Sequence, residues 1–119
     1  MGRFVKGDIV ASTFPFSDGS GNKKRPSVVL ATWQVNTGGL SFNDCLICMI
    51  STKDDLDDYT IELLPGDTTD GKFRFRTSSV IRPTYLYAVQ EDLIINRIDS
   101  LSSEKLSEVL RVITGLINN

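Results

Sequence analysis

Asp8-Ile9-Val10-Ala11-Ser12-Thr13-Phe14, closed by Pro15 and the turn-rich run Ser17-Asp18-Gly19-Ser20-Gly21-Asn22, is the stretch that decides the fold. Its alternation and β-branched content predict a first strand, and the six turn-forming residues after it predict a mobile loop. Lys23-Lys24-Arg25-Pro26 follows, then Ser27-Val28-Val29-Leu30-Ala31-Thr32-Trp33, continuous and apolar enough for a buried second strand with Pro26 at its entrance. Two strands joined by a polar loop make this end of the chain β.

The rest extends that pattern. Asn36-Thr37-Gly38-Gly39 is a turn, and Leu40 to Ser51 carries Phe42, Leu46, Ile47, Met49 and Ile50 in a third, long strand. After a polar run from Thr52 to Asp58, Tyr59-Thr60-Ile61-Glu62-Leu63 alternates as a strand, and Pro65-Gly66-Asp67 turns. Residues 73–76, 79–82 and 86–89 add further strand material, and a short helical turn fits residues 91–95. The end is helical: Ser102 is a good N-cap, Leu101 and Leu106 are placed for a hydrophobic staple, and Leu106, Val109, Leu110, Ile113 and Ile117 form one apolar stripe. Five to seven short strands and a C-terminal helix predict a mainly β fold, a small closed or half-closed barrel.

At 119 residues with 40% hydrophobic content, the expectation is a single domain over residues 1–119. No repeat, linker or low-complexity tract interrupts it. No apolar run approaches the roughly 20 residues that cross a bilayer, and the first residues lack a signal-peptide core, so the expectation is a cytoplasmic protein with no membrane partner. Two cysteines cannot build a disulfide scaffold, and the absence of histidine removes the usual general base and zinc ligand. Any enzyme built on this chain works with Arg, Lys, Tyr, hydroxyls, carboxylates or Cys. The net charge of −2 conceals a pattern: residues 1–30 carry +3, residues 31–70 carry −7, residues 71–97 carry +3 and residues 98–119 carry −1. If the fold joins the two basic segments, it creates a basic surface on an acidic protein.

Cys45-Leu46-Ile47-Cys48 has redox or zinc spacing, but residues three apart on a strand face opposite ways, and no further Cys pair or His completes a metal site. Buried structural cysteines are the expectation, and no metal or cofactor is called for. Asp54-Asp55-Leu56-Asp57-Asp58 lacks the Gly and Glu of a calcium loop and reads as a solvated turn. Lys23-Lys24-Arg25 at a strand mouth offers the donors that suit a phosphodiester, or simply makes a basic turn. Ser51-Thr52 places two hydroxyls at the end of the third strand, where side chains converge on clefts or strands merely stop.

Gly7-Asp8-Ile9-Val10, Phe14-Pro15-Phe16-Ser17-Asp18-Gly19-Ser20-Gly21 and Lys24-Arg25-Pro26-Ser27-Val28-Val29-Leu30-Ala31 resemble, in order and spacing, the opening of the MazF/PemK family of toxins. Ile50-Ser51 is similar to that family's Ile-Thr at the end of the third strand. Ser78-Ser79-Val80-Ile81-Arg82 and Ile98-Asp99-Ser100-Leu101-Ser102 resemble its later segments. The likeness runs over residues 6–117.

The resemblance implies an SH3-like barrel that forms a homodimer, cuts single-stranded RNA at short sequences without a metal or cofactor, and is neutralised by a cognate antitoxin. It places Arg25 and Ser51 as the catalytic pair. With the ribose 2′-OH as nucleophile, the protein supplies position and charge, which suits a chain without histidine. Arg25 would stabilise the phosphorane and protonate the leaving 5′-oxygen, an arginine being too weak a base for other duty. Ser51 would hold the phosphate or the attacking hydroxyl. Phe16, Ser20, Lys23, Lys24, Thr52, Lys53 and Arg82 are RNA-binding candidates, whereas Trp33 and Phe14 are expected to pack in the core. Two departures stand out: Ser51 replaces a commoner Thr, and Asn22-Lys23-Lys24 lacks a Glu found before the Arg in some relatives, which leaves the general base unassigned. The competing readings are a CcdB-like gyrase poison, whose C-terminal aromatic contact the ending Gly115-Leu116-Ile117-Asn118-Asn119 does not offer, and a non-catalytic SH3-like module that binds peptide or nucleic acid.

Overall fold

A computed structural model of the chain describes residues 2–15, 22–52, 56–73 and 79–119. Its elements are β1 (Asp8–Pro15), β2 (Asn22–Thr37), β3 (Leu40–Thr52), β4 (Ile61–Leu63), β5 (Ser79–Gln90), β6 (Ile94–Ser100) and helix α1 (Ser103–Ile117), with one-turn 3-10 helices at Pro65–Asp67 and Glu91–Leu93. The strands form one six-stranded antiparallel sheet in the order β4-β5-β3-β2-β1-β6.

The mainly β architecture with a C-terminal helix matches the sequence expectation, and several details differ. Pro26 lies inside β2, opposite Ala11, rather than at its entrance. The β2–β3 ladder ends at Ser27–Met49, one residue away, so the imide nitrogen sits where only β1 continues to pair. The segments expected at 79–82 and 86–89 are one strand, carried through Pro83 by a bulge: Cys48 faces Leu86, whereas Met49 faces Arg82. Phe73 is outside any strand, and the remainder of the strand expected at 73–76 lies outside the described residues. The turn expected at 91–95 stops at Leu93, and Ile94–Ser100 is an unanticipated strand whose register slips twice against β1.

Strand alternation divides the core. Ile9, Val28, Cys48, Ile50, Ile61 and Ile81 share one cluster with Val109 and Ile113 of α1, and Val10, Val29, Cys45, Ile47 and Ile94 share another with Phe4. Cys45 and Cys48 are free thiols in different clusters, as their spacing demands. Burial pushes both up, Cys45 to about 11 with help from Glu91 and Asp44, and Cys48 to about 12 against a hydrogen bond from the Val28 backbone. Trp33 departs from its expected core position: it is 40% exposed on the projecting β2–β3 hairpin. Ser102 Oγ accepts the Lys105 N–H at 3.2 Å and caps α1, Leu101 is buried, and Leu106 packs on the core beside it. Ile117, assigned to the apolar stripe, is 73% exposed as the last residue of the helix.

β4 and β6 occupy opposite ends of the strand order and do not pair, so strand pairing leaves the sheet open. The segment after β4 curls across to β6. Thr68 bridges Leu101, the Thr69 N–H donates to Ser100 O at 2.9 Å, and the Ser102 N–H donates to Asp67 O at 2.7 Å. The fully buried Asp99 carboxylate completes the closure by accepting N–H groups from Asp70 (2.9 Å), Lys72 (2.7 Å), Phe73 (2.9 Å) and Ser100 (2.7 Å). Burial alone would raise its pKa, yet those four donors hold it down at about 2. Among the described residues, no helix is long and apolar enough to cross a membrane.

Candidate active site

The antiparallel order brings the end of β1, the start of β2, the end of β3 and the start of β5 to one end of the sheet. Ser12 stands opposite Arg25, Ser27 opposite Met49, Ser51 opposite Val80, and Arg82 opposite Met49. These pairings set Ser12, Arg25, Ser27, Met49, Ser51, Val80 and Arg82 on the same face as the Val10–Val29–Ile47 cluster. Side by side across four adjacent strands lie two guanidinium groups and three hydroxyls.

Arg25 and Ser51 each lie two residues beyond the last β2–β3 ladder pair, Ser27–Met49. Pro26 has no N–H to extend that ladder, so the strands part where these two side chains stand. Arg25 is half-buried and Ser51 is 9% exposed. The Ser51 hydroxyl donates to Thr52 O at 3.4 Å, a long contact for an O–H donor. The hydroxyls of Ser12 and Ser27 are fully buried and, among the described residues, make no hydrogen bond.

Arg82 is held from two sides. Its guanidinium lies 3.9 Å above the Tyr85 ring centre, and Nη2 is 3.6 Å from Asp57 Oδ2. Asp57 is fixed in turn by the N–H groups of Tyr59 (2.8 Å) and Thr60 (3.0 Å), which donate to Oδ1. Part of the acidic run read from sequence as a solvated turn therefore abuts the candidate site.

Of the residues expected to contact RNA, Arg82 shares the face of Arg25 and Ser51. Lys24 and Thr52, each one position from those residues, project to the opposite face and are exposed. Phe16, Ser20 and Lys53, with the side chain of Lys23, lie outside the described residues. Trp33 also faces away, because its neighbour Thr32 pairs with Cys45 on the site face. Ser12, Ser27, Asp57 and Tyr85 were not singled out from sequence. The alternation of Ser12 with Val10 was the available signal for one of them, whereas the Arg82–Tyr85 stack depends on the Pro83 bulge. No group of three or more Cys, Asp or Glu side chains able to hold a metal occurs among the described residues.

A mainly antiparallel sheet, open to strand pairing, with a polar site at one end and a helix on its other face, defines the class of fold. Several solved structures share it. An endoribonuclease in complex with its cognate antitoxin, from a mycobacterial species, superposes with a TM-score of 0.67 at 8% identity, covering 97% of this chain and 95% of that one. A MazE–MazF structure from Deinococcus radiodurans gives 0.61 at 15% identity, covering 94% of this chain and 92% of that one. At those identities the likeness is one of fold. No curated protein matches the sequence. The chain belongs to the PemK-like, MazF-like toxins of type II toxin-antitoxin systems, whose family model matches residues 5–117.

Proposed function

We propose that this toxin is a sequence-specific endoribonuclease that cuts single-stranded RNA without a metal ion, acts in the cytoplasm as a homodimer, and is neutralised by a cognate antitoxin seated in its RNA groove. The observation that carries the reading is the placement of Arg25 and Ser51 on one face, on neighbouring strands, where Pro26 lets those strands part. Family membership and the antitoxin complexes among its structural neighbours support it.

In this mechanism the 2′-OH of the nucleotide 5′ to the cut attacks the phosphorus and gives up its proton to solvent water, from which Arg25 later recovers the one it donates. The P–O5′ bond breaks, leaving a 2′,3′-cyclic phosphate and a 5′-hydroxyl. Arg25 faces the non-bridging oxygens, where charge accumulates, and delivers a proton to the departing 5′-oxygen. Ser51 hydrogen-bonds the phosphate or the attacking hydroxyl and fixes its line of approach. The nucleophile comes from the substrate, so a chain without histidine needs no activated water. Arg82, with Phe16, Ser20, Lys23 and Lys53 of the adjoining loops, binds the RNA on either side, while Lys24 and Thr52, on the opposite face, take no part at this cleft.

The test is incubation of a long single-stranded RNA with purified, antitoxin-free protein in excess EDTA, beside Arg25→Ala and Ser51→Ala. Discrete fragments with 2′,3′-cyclic phosphate ends, lost in Arg25→Ala, are expected. Intact RNA with the folded wild-type protein rejects the reading in favour of a gyrase poison or a non-catalytic binding module.

A further inference from the structure

β5 presents a second feature on the face that carries Ser51. Tyr87 pairs with Ile47, two residues before Met49 and four before Ser51 on β3, which sets its ring on their side of the sheet. Tyr85 lies in the bulge without a register partner on β3, and its contact with Arg82, which pairs with Met49, places it on that side. Tyr85 and Tyr87 are 39% and 36% exposed, although β5 is an interior strand of the sheet. The exposure has a topological cause: β4 covers β5 only at Ser79–Ile81 and leaves the edge beyond Pro83 uncovered.

We propose that Tyr85 and Tyr87 are a stacking platform for two successive bases of the single-stranded RNA beside the scissile phosphate. This inference rests on the ribonuclease reading above. Residues two apart on a strand stand roughly 6.6 Å from each other, room for one base on each ring. Aromatic side chains on a sheet, interleaved with a cation, are the surface that takes unpaired bases and their phosphates together. Arg82 covers one side of Tyr85, and Asp57 anchors Arg82, so the ring is ordered before substrate arrives and little freedom is lost on binding. Continuity with Arg25 and Ser51 on one face selects RNA as the occupant over a second copy of the chain.

The experiment is steady-state cleavage of a synthetic RNA containing a site that the wild-type protein cuts, using Tyr85→Leu, Tyr87→Leu, Tyr85→Phe and Tyr87→Phe. Each leucine variant is expected to raise KM about tenfold with kcat within about twofold, and each phenylalanine variant to behave as wild type. On RNA made abasic beside the cut, wild type should lose the same factor, and the leucine variants should lose nothing further. Unchanged KM in the leucine variants overturns the proposal, as does an equal loss on normal and abasic RNA. A leucine variant that changes oligomeric state in light scattering also overturns it, by assigning the tyrosines to an interface between copies. If cleavage is normal in the leucine variants but lost in Arg25→Ala, this proposal fails and the ribonuclease reading stands. Wild-type protein that cuts no RNA overturns both.

Discussion

Phe73 donates its backbone N–H to the Asp99 carboxylate at 2.9 Å, and that bond joins the segment after β4 to β6 at the far side of the sheet. With the N–H groups of Asp70, Lys72 and Ser100 on the same carboxylate, it completes by side chain what strand pairing leaves open.

Asp99 therefore makes folding stability depend on acid pH. Its pKa falls from 3.8 to about 2 on folding, so the unfolded chain binds the proton more tightly. The contribution is fully present above pH 4 and disappears as pH drops from about 4 to about 2. At about 1.4 kcal/mol per pK unit it amounts to about 2 kcal/mol. Urea unfolding of Asp99→Asn should show a loss of that size at pH 7 and a much smaller one near pH 2. A loss independent of pH would remove the charged form from the explanation.

Ser12 and Ser27 place buried hydroxyls, without hydrogen bonds among the described residues, next to Arg25, an arrangement that costs stability. Ser27→Ala should raise stability by about 1 kcal/mol, the order of the desolvation penalty it relieves. If the hydroxyls support the site, the same substitution should slow RNA cleavage. Urea midpoints and cleavage rates on one protein preparation decide both. A stability loss above about 1 kcal/mol would mean that a buried water satisfies the hydroxyl.

How much of this was legible beforehand depends on how local each cause is. Ser102 as the cap of α1 and the separation of Cys45 from Cys48 follow from spacing alone, and the structure has both. Arg25 and Ser51 each carried a local signal, a basic strand mouth and a hydroxyl at a strand end, but only the family resemblance joined them as one catalytic pair, since neither signal alone separates a cleft from an ordinary turn. β6 escaped notice because Ile95, Asn96 and Arg97 are all exposed, and two register slips against β1 erase the alternation that marks a strand. The Asp99 closure was beyond reach, as three of its four donors come from a segment more than twenty residues away. The basic segments do approach one another, Arg25 from the first and Arg82 from the second, with Asp57 of the acidic stretch set against Arg82.

Cys45 and Cys48 should behave as inert core residues. Burial holds both thiols far above neutral pH in their protonated form, and the thiolate is the reactive species. A thiol reagent at pH 7.5 should label neither in the native protein and both in denaturant, with no disulfide by mass. Rapid native labelling of either would contradict the burial.

Ser51 offers the sharpest test of how the site is ordered. Its hydroxyl is 3.4 Å from Thr52 O, beyond the usual O–H···O range, so this contact does little to select one rotamer. A threonine keeps the hydroxyl and adds a methyl that restricts χ1, while the low exposure of the position demands that the methyl fit against its neighbours. Ser51→Thr should cleave RNA at least as fast as wild type, whereas Ser51→Ala should lose about a hundredfold in kcat, the scale of a lost transition-state donor. Ser51→Val, which copies threonine in shape without the oxygen, should match the alanine variant. Thermal midpoints measured alongside separate packing from chemistry: if the valine variant folds normally and still cuts RNA at the wild-type rate, the Ser51 hydroxyl has no part in the reaction.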